Sequence, residues 1–463
     1  MKNNDIEMAQ KIASKVADAG GRVYFVGGYV RDQLLNRENK DIDIEVHGVS
    51  VGKLEEILDS LGNRTVMGAS FGVFGLSHYD LDIAMPRTER STGMGHKDFT
   101  VSVNPFIGPQ KAAERRDFTM NALMQDVLTG EILDFFDGKS DLSKKRIRHV
   151  NDITFVEDPL RVFRAAQFAA RFNFTVAPET IALSSTIDAN ALAGERIMGE
   201  LEKALLKAER PSVFFEELRK MNQLSVWFPE VEALIGVPQG KEHHPEGDAW
   251  EHTMQALDEA AVLRKNAVEP LWFMLAVLCH DLGKATSTEE KEGKIHAYMH
   301  EENGVIEADQ FLSRITNETK LKEYVLNMVQ HHMEPTMMTG SGAHVKSYMK
   351  MFDRLVCPED MLLLAQADYL GRKAEGKDYI FLSDEYSQRN DVLQKMLRTY
   401  KARMKEPYLM GRDLIDAGIE PGPIFHKALA YTHNLRLAGR SKEEQLSQAL
   451  GFIRKETEDM EKE

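Results

Sequence analysis

Apolar residues in the first third of the chain come in short bursts separated by glycine and charge; further on they recur at helical spacing. The opening residues run straight into an amphipathic helix pattern that continues through Val16. Between Arg22 and Val46 the pattern reads strand, glycine turn, short helix, strand: Val23-Tyr24-Phe25-Val26, Gly27-Gly28, Val30 to Leu35, then Ile42-Asp43-Ile44-Glu45-Val46. Strand-like runs follow at Val73 to Leu76, Leu81 to Ala84 and Ile132 to Phe136. After about Asp152 strand signals stop. Helical periodicity with interleaved charge dominates from Leu160 to the end, broken at Gly236-Val237-Pro238, near Gly376 and at Pro421-Gly422-Pro423. The pattern predicts a small α+β head over residues 1–148 and a mostly α-helical remainder: a neck over 149–225, a further domain over 226–375 and a tail over 376–463.

With 463 residues, 43% of them hydrophobic and 28% charged, the chain has the composition of a globular protein of several domains. No run of 18 uncharged apolar residues occurs and no secretion signal opens the chain, so no membrane partner is expected. Two cysteines, Cys279 and Cys357, make no disulfide framework and suit a reducing, cytoplasmic setting. The net charge of −15 argues against nucleic-acid binding through the surface as a whole. A local basic run, Lys139, Lys144, Lys145, Arg146 and Arg148, offers either a phosphate contact or a solvated helix face.

Candidate chemistry begins at Asp41-Ile42-Asp43. On a strand, alternation turns both carboxylates to one face, where they can hold two magnesium ions for in-line phosphoryl transfer; a solvated strand pair looks the same. Gly27-Gly28 lies after a strand and opens a helix bearing Arg31 and Asp32, a place for a triphosphate. Asp82 in Leu81-Asp82-Ile83-Ala84 supplies a third acid. The run Gly27 to Leu35, followed by Asp41-Ile42-Asp43, resembles the signature of class II tRNA nucleotidyltransferases and bacterial poly(A) polymerases, of the polymerase-beta-like superfamily. The resemblance implies a polymerase-beta-like head in which Asp41 and Asp43 bind Mg2+ and Asp82 is the third carboxylate, within a DxAxxRxE element ending at Arg87 and Glu89.

Arg115-Arg116-Asp117-Phe118-Thr119-Met120-Asn121-Ala122-Leu123 carries two cations and an amide suited to phosphate and ribose, or is a capped surface helix. It resembles the family's RRDFTxNAL motif, which makes Arg116 and Asn121 expected nucleotide contacts beside Gly27, Gly28, Arg31 and Arg87. Further on, Glu157-Asp158-Pro159-Leu160-Arg161-Val162-Phe163-Arg164 places Pro159 in a first helical turn with Asp158 as its cap. Asp158 and Arg161 together match the amino donor and ring acceptor that cytosine and adenine share. An Asp–Arg pair at this spacing is otherwise a surface ion pair. The similarity to the family's EDxxR template implies base selection by Asp158 and Arg161, with Arg164 alongside and Glu195-Arg196-Ile197 in support. Where poly(A) polymerases of this family typically carry a basic pair, Met67 to Gly72 has none, which favours CCA addition to tRNA from CTP and ATP.

The ordered set His252, His280-Asp281 and Asp368 resembles the HD phosphohydrolase superfamily, whose members use bound metal to hydrolyse phosphate esters. The match implies His252, His280, Asp281 and Asp368 as ligands of a divalent transition metal, with His300 and His332 as further ligands; His296 and His331 are the other candidate histidines of this stretch. Tyr298-Met299-His300-Glu301 departs from the H-G-H element that relatives often have. By the same resemblance the tail is expected to contact tRNA, and the HD domain to trim phosphates from RNA ends. Two other readings remain at this point: poly(A) or A-only addition, and an HD phosphohydrolase with a non-catalytic RNA-binding head.

Overall fold

Val23 to Val26 are strand formers set between glycines, and they form strand β1 (Arg22–Val26). In the computed structural model it is followed, up to Leu133, by β2 (Ile42–His47), β3 (Arg64–Gly68), β4 (Val73–Leu76), β5 (Leu81–Ala84), β6 (Arg87–Ser91), β7 (Phe99–Val103), β8 (Met124–Asp126) and β9 (Ile132–Leu133). The structure describes residues 2–39, 41–68, 72–91, 99–242, 244–374 and 379–460. Seven strands form one sheet in the order β3-β4-β5-β2-β1-β8-β9, and β6 pairs with β7 in a separate antiparallel ribbon. Strands β2 and β5 run parallel, whereas the other pairings of the large sheet are antiparallel.

Alternation along β2 decides which residues reach the site. Ile42, Ile44 and Val46 are buried on one face, and Asp43, Glu45 and His47 share the other. The helix Lys2–Asp18 buries Ile12, Ala13 and Val16 in contact with β1 and β2. Burial of each such side chain contributes roughly 1.5–3 kcal/mol.

The chain divides into two compact units, Met1–Pro229 with Arg314–Thr316, and Glu230–Ser313 with Asn317–Glu463. Beyond the sheet, the first unit is helical, and its aromatic core joins Phe163, Phe214, Phe215 and Phe228 with ring centroids 5.2–6.4 Å apart. In the second unit the helix Pro270–Cys279 is apolar all round and buried from Phe273 onward, as a central core helix must be. Against it pack the helices Ala249–Leu263, Thr319–His331 and Pro358–Leu370. The tail helices Gly411–Asp416, Pro423–Leu437 and Lys442–Met460 bury Leu409, Leu414, Ala428, Ala449 and Ile453 together.

Several local expectations need correcting. The strand expected over Ile132 to Phe136 is only Ile132–Leu133. Strand structure also does not end at Asp152: a short parallel pair joins Arg146–Ile147 to Thr175–Val176, and a hairpin pairs Thr288–Lys291 with Lys294–Ala297. The first hairpin strand, Thr-Glu-Glu-Lys, has no apolar alternation to announce it. Its turn is set by Glu292 and Gly293, both at positive φ (54° and 74°), as a two-residue hairpin turn requires. The expected break near Gly376 and the segment Ala69 to Phe71 lie outside the described residues.

Candidate active and metal sites

The head site is built on the parallel β2–β5 pair. Asp43 and Asp82 are direct register partners, so their side chains leave the sheet on the same side. Asp41 lies one residue before β2 rather than within it, its amide donating to Asn39 Oδ1 at 3.0 Å. Burial raises the Asp43 carboxyl above the ordinary range, Asp82 and Asp41 add to the rise, and Arg116 opposes it. A buried carboxyl whose ionisation two neighbouring acids disfavour belongs to a donor set that a divalent cation relieves. Arg87 is exposed at the start of β6, and the side chain of Glu89 lies outside the described residues.

Gly27, not Gly28, is the position that only glycine fits. Its backbone at φ 65°, ψ −132° is in a region that side chains disfavour, and a Cβ there would stand 3.6 Å from Asp43 Oδ2 and 3.9 Å from Arg116 Nη1. Gly27→Ala is therefore expected to destabilise the head by about 1–3 kcal/mol of backbone strain and to reduce nucleotide addition. Thermal unfolding and turnover measured side by side check this; an unchanged melting temperature would contradict it.

Behind the acids lies a buried chain of hydrogen bonds. Arg31 donates through Nη1 to Asn121 Oδ1 at 2.7 Å and through Nε to Asp32 Oδ1 at 2.7 Å. The Asn121 amide donates to Asp117 Oδ1 at 2.9 Å, and Arg164 grips Asp117 Oδ2 through Nε and Nη2 at 2.8 and 2.7 Å. The segment expected as a nucleotide-contacting strip or a surface helix is thus a buried connection with a 3-10 turn at Thr119–Asn121. Arg31, Asn121 and Asp117 are at most 9% exposed, so they hold the floor of the site in shape. Burial opposes ionisation of Asp117, yet Arg164 and Asn121 keep its carboxyl below the usual range. Arg116, a third exposed, donates to Glu45 Oε2 at 3.1 Å. Asp117 was missed as a site residue because nothing in its local sequence reveals a partner 47 positions away.

Asp158 and Arg161 are both held, by different partners. Asp158 Oδ1 accepts from the Leu160 amide at 3.2 Å, and Asp158 Oδ2 pairs with Arg196 at 3.2 Å. Arg161 donates to the carbonyls of Thr154 at 2.7 Å and Arg115 at 2.9 Å. The helix runs Leu160–Phe172 with Pro159 as its cap, one residue later than the sequence indicates. In the basic run, Arg146 and Arg148 both converge on buried Asp141, at 2.7 and 2.8 Å, which accounts for two of its five cations structurally.

In the second unit four imidazoles and two carboxylates meet in the interior. His252, His280, Asp281, His332 and Asp368 are at most 3% exposed and His300 is 6% exposed. Asp281 is the hub. Its Oδ2 lies 3.3 Å from His280 Nε2 and 3.5 Å from His252 Nε2, and its Oδ1 lies 3.6 Å from His300 Nε2 and 3.7 Å from His332 Nε2. Asp368 Oδ1 stands 3.1 Å from His252 Nε2. The Nδ1 atoms of His280, His300 and His332 bond to the carbonyls of Val277, Ala297 and Val329 at 2.7, 2.9 and 2.7 Å. A carbonyl only accepts, so each Nδ1 carries a proton and each Nε2 is the ring nitrogen turned toward the centre, free to ligate when the ring is neutral.

The groups His252–His280–Asp281 and Asp281–His300–His332 each bring their ligand atoms within 4.8 Å of one another, compact enough to hold metal ions. The residues thus fit a divalent metal, and imidazole with carboxylate suits a transition ion. Close approach shapes this centre: a Cβ on Gly283 would fall 2.0 Å from the His300 carbonyl, so glycine lets the turn after Asp281 pack on the start of the His300 helix. Met299 takes the left-handed backbone (φ 57°) that glycine would adopt freely, and His300 still faces Asp281 despite the departure from H-G-H.

Two cations missed in the sequence flank the cluster. Lys284 Nζ lies 2.7 Å from Asp281 Oδ2, and Arg372 Nη2 lies 3.2 Å from Asp368 Oδ1. Both carboxyls are held well below the usual range against the cost of burial, Asp281 by His280 and Lys284 and Asp368 by Arg372 and His252. His244 and Glu246 were also missed; Glu246 Oε1 lies 2.9 Å from His244 Nδ1 and 2.7 Å from His252 Nδ1. His331 instead pairs with Glu334, and His296 stacks on Tyr298. Cys279 and Cys357 are free and buried, with burial raising both thiols, so neither is a reactive nucleophile. No helix among the described residues is long and apolar enough to cross a membrane.

Comparison with known proteins connects the two sites. Residues 23–148 match the Poly A polymerase head domain and residues 249–373 match the HD domain. The chain is 38% identical over 372 residues to the "Multifunctional CCA protein" of Actinobacillus pleuropneumoniae serotype 5b (strain L20), covering 77% of this chain and 88% of that protein. It is 40% identical over 318 residues to the protein of the same name from Haemophilus ducreyi, covering 67% of this chain and 75% of that one. In fold it is similar to the Thermotoga maritima CCA-adding enzyme complexed with tRNA, with a TM-score of 0.61, 20% identity, and 96% and 95% of the two chains covered.

Proposed function

The chain belongs to the family of multifunctional CCA proteins, and from that premise we propose that it adds C, C and A to tRNA 3′ ends from CTP and ATP without a nucleic-acid template. The tRNA 3′-hydroxyl oxygen bonds to the α-phosphorus of the incoming nucleotide, and the bond to the β-phosphate breaks to release pyrophosphate. Asp41, Asp43 and Asp82 are the residues that would hold magnesium. When bound, the cation lowers the cost of ionising the hydroxyl and of developing charge on pyrophosphate. The observation that carries the reading is the register of Asp43 against Asp82 on parallel strands, with the Gly27 turn beside the Asp43 carboxylate.

Arg116 and Arg87 stand where exposed guanidinium groups can meet phosphate oxygens. Arg31, Asn121, Asp117 and Arg164 act as positioning residues through their buried chain. Asp158 and Arg161, each fixed by neighbours, present an acceptor and a donor to a base edge. Cytosine and adenine match that pair. Uracil and guanine would set like groups against like and leave polar atoms unpaired, at about 1–3 kcal/mol each.

In the HD domain, His252, His280, Asp281, Asp368, His300 and His332 would hold a divalent transition metal, which supplies Lewis-acid activation for phosphate-ester hydrolysis. Lys284 and Arg372 place positive charge beside the centre, where a phosphoryl oxygen would lie. RNA ends bearing 2′,3′-cyclic, 2′- or 3′-phosphate are the substrates that connect the two activities: the cyclic and 3′-phosphates occupy the 3′-oxygen that must attack, and a 2′-phosphate crowds and charges its neighbourhood.

The direct test incubates the purified chain with tRNA ending before CCA and each labelled nucleotide in turn. Two CMP additions followed by one AMP are expected. Incorporation of AMP with no use of CTP would overturn the proposal in favour of A-only or poly(A) addition.

A further inference from the structure

Among the four imidazoles that converge on Asp281, His252 differs in what holds its far nitrogen. His280, His300 and His332 each bond through Nδ1 to a backbone carbonyl, whereas His252 Nδ1 bonds to a side chain, Glu246 Oε1, at 2.7 Å. The Glu246 carboxylate is wholly shielded from solvent, with His244 Nδ1 on the same oxygen at 2.9 Å and Oε2 without any partner. Loop structure does not account for Glu246. The turn there is fixed by Asp248, which accepts from the Glu251 amide at 2.9 Å and the Gly236 amide at 2.6 Å. A carboxylate buried between two rings accepts from both, which puts a proton on His252 Nδ1 and leaves Nε2, facing Asp281 and Asp368, as the nitrogen that would meet a cation.

We propose that Glu246 is a positioning residue of the HD centre: it fixes the tautomer and strengthens the donor power of His252, and thereby makes the end of the cluster formed by His252, His280, Asp281 and Asp368 the tighter of its two metal-binding ends. The inference rests on the reading of this cluster as a metal site. Its physical basis is that a charged partner polarises an imidazole more than a neutral carbonyl does, so the ligand it holds is the stronger base toward a cation. At the other end, His332 is held by a carbonyl, and His300 Nδ1, bonded to the Ala297 carbonyl at 2.9 Å, has only the more distant and part-exposed Glu301 Oε2 at 3.4 Å beside it.

The test titrates the metal-free full-length chain with Co2+, following both affinity and the visible absorption of the bound ion. Glu246→Gln keeps the shape and removes the charge. It is expected to weaken the tighter Co2+ binding about 10- to 100-fold and to shift the spectrum at saturation, while CCA addition by the head, assayed in the same preparation, is unchanged. Equal affinity and an identical spectrum in wild type and variant would overturn the inference and leave the metal site standing. If the wild type binds no Co2+, the metal reading falls and this inference with it. Should Glu246→Gln fail to fold, nitrogen-15 histidine NMR of the zinc-loaded wild type decides instead. A proton on His252 Nδ1 with metal on Nε2 supports the role, and the reverse tautomer rejects it.

Discussion

Asp43→Asn is expected to abolish nucleotide addition, by about 10³-fold or more, while raising the melting temperature of the head when no divalent cation is present. The loss in rate follows from removing a ligand of the cation that balances charge in the transition state, a contribution on the order of 4 kcal/mol. The gain in stability follows from the surroundings of the carboxylate. Burial and the neighbouring Asp82 and Asp41 raise the Asp43 carboxyl above its unfolded value. A group raised in the folded state favours folding at pH values below its unfolded value and loses that contribution as pH rises through the folded one. At neutral pH the ionised carboxylate therefore opposes folding, and a neutral amide of the same shape does not. Mg2+ should reverse the order, stabilising the wild type and leaving the variant unmoved. Melts at pH 7.5 in chelator and in Mg2+, paired with CMP and AMP incorporation, measure both halves. A double variant Asp41→Ala with Asp43→Ala that leaves every activity intact, beside a double variant His280→Ala with Asp281→Ala that abolishes it, would instead mean an HD phosphohydrolase with a non-catalytic head.

The sheet that carries these acids was legible because two local signals agreed. Period-two alternation in Ile42 to Val46 and in Leu81 to Ala84 marked both strands, and the glycine turn marked the chain reversal between the first two. What stayed hidden depends on partners far away in sequence. Asp117 meets Arg164 across 47 positions and Gln239 meets Lys284 across 45, and no spacing rule reaches that far. Arg146 and Arg148 read as part of a basic patch, yet buried Asp141 takes both, because burial is a property of the fold and not of the run. The hairpin beginning at Thr288 escaped for the opposite reason: its strand is almost wholly polar and its pairing is specified by the turn. His244 and Glu246 lie in a loop with no periodicity, and only the packing of that loop against the helix starting at Ala249 brings them to His252.

Asp281→Asn should produce the opposite stability change from Asp43→Asn, although both remove one metal-binding carboxylate. Asp281 is 2% exposed and faces Lys284 at 2.7 Å and four imidazole nitrogens within 3.7 Å. Its carboxyl lies well below the ordinary range, burial being outweighed by His280 and Lys284. A depressed group contributes stability above its unfolded value and loses it as pH falls through the folded one, so at neutral pH the contribution is complete. Neutralising it leaves Lys284 buried beside an amide, a loss on the order of 3–5 kcal/mol for a broken buried pair. The metal-free HD domain of the variant should therefore melt earlier, bind Co2+ at least about 100-fold more weakly and lose phosphodiester hydrolysis. CCA addition should persist at temperatures below that transition, because none of the head acids depends on Asp281. The contrast isolates the cause: Asp43 sits among acids and is strained without a cation, whereas Asp281 sits among bases and holds its domain together whether or not a cation is present. A variant at Asp281 that melts no earlier than wild type in chelator would show that the imidazoles and Lys284 do not supply that compensation.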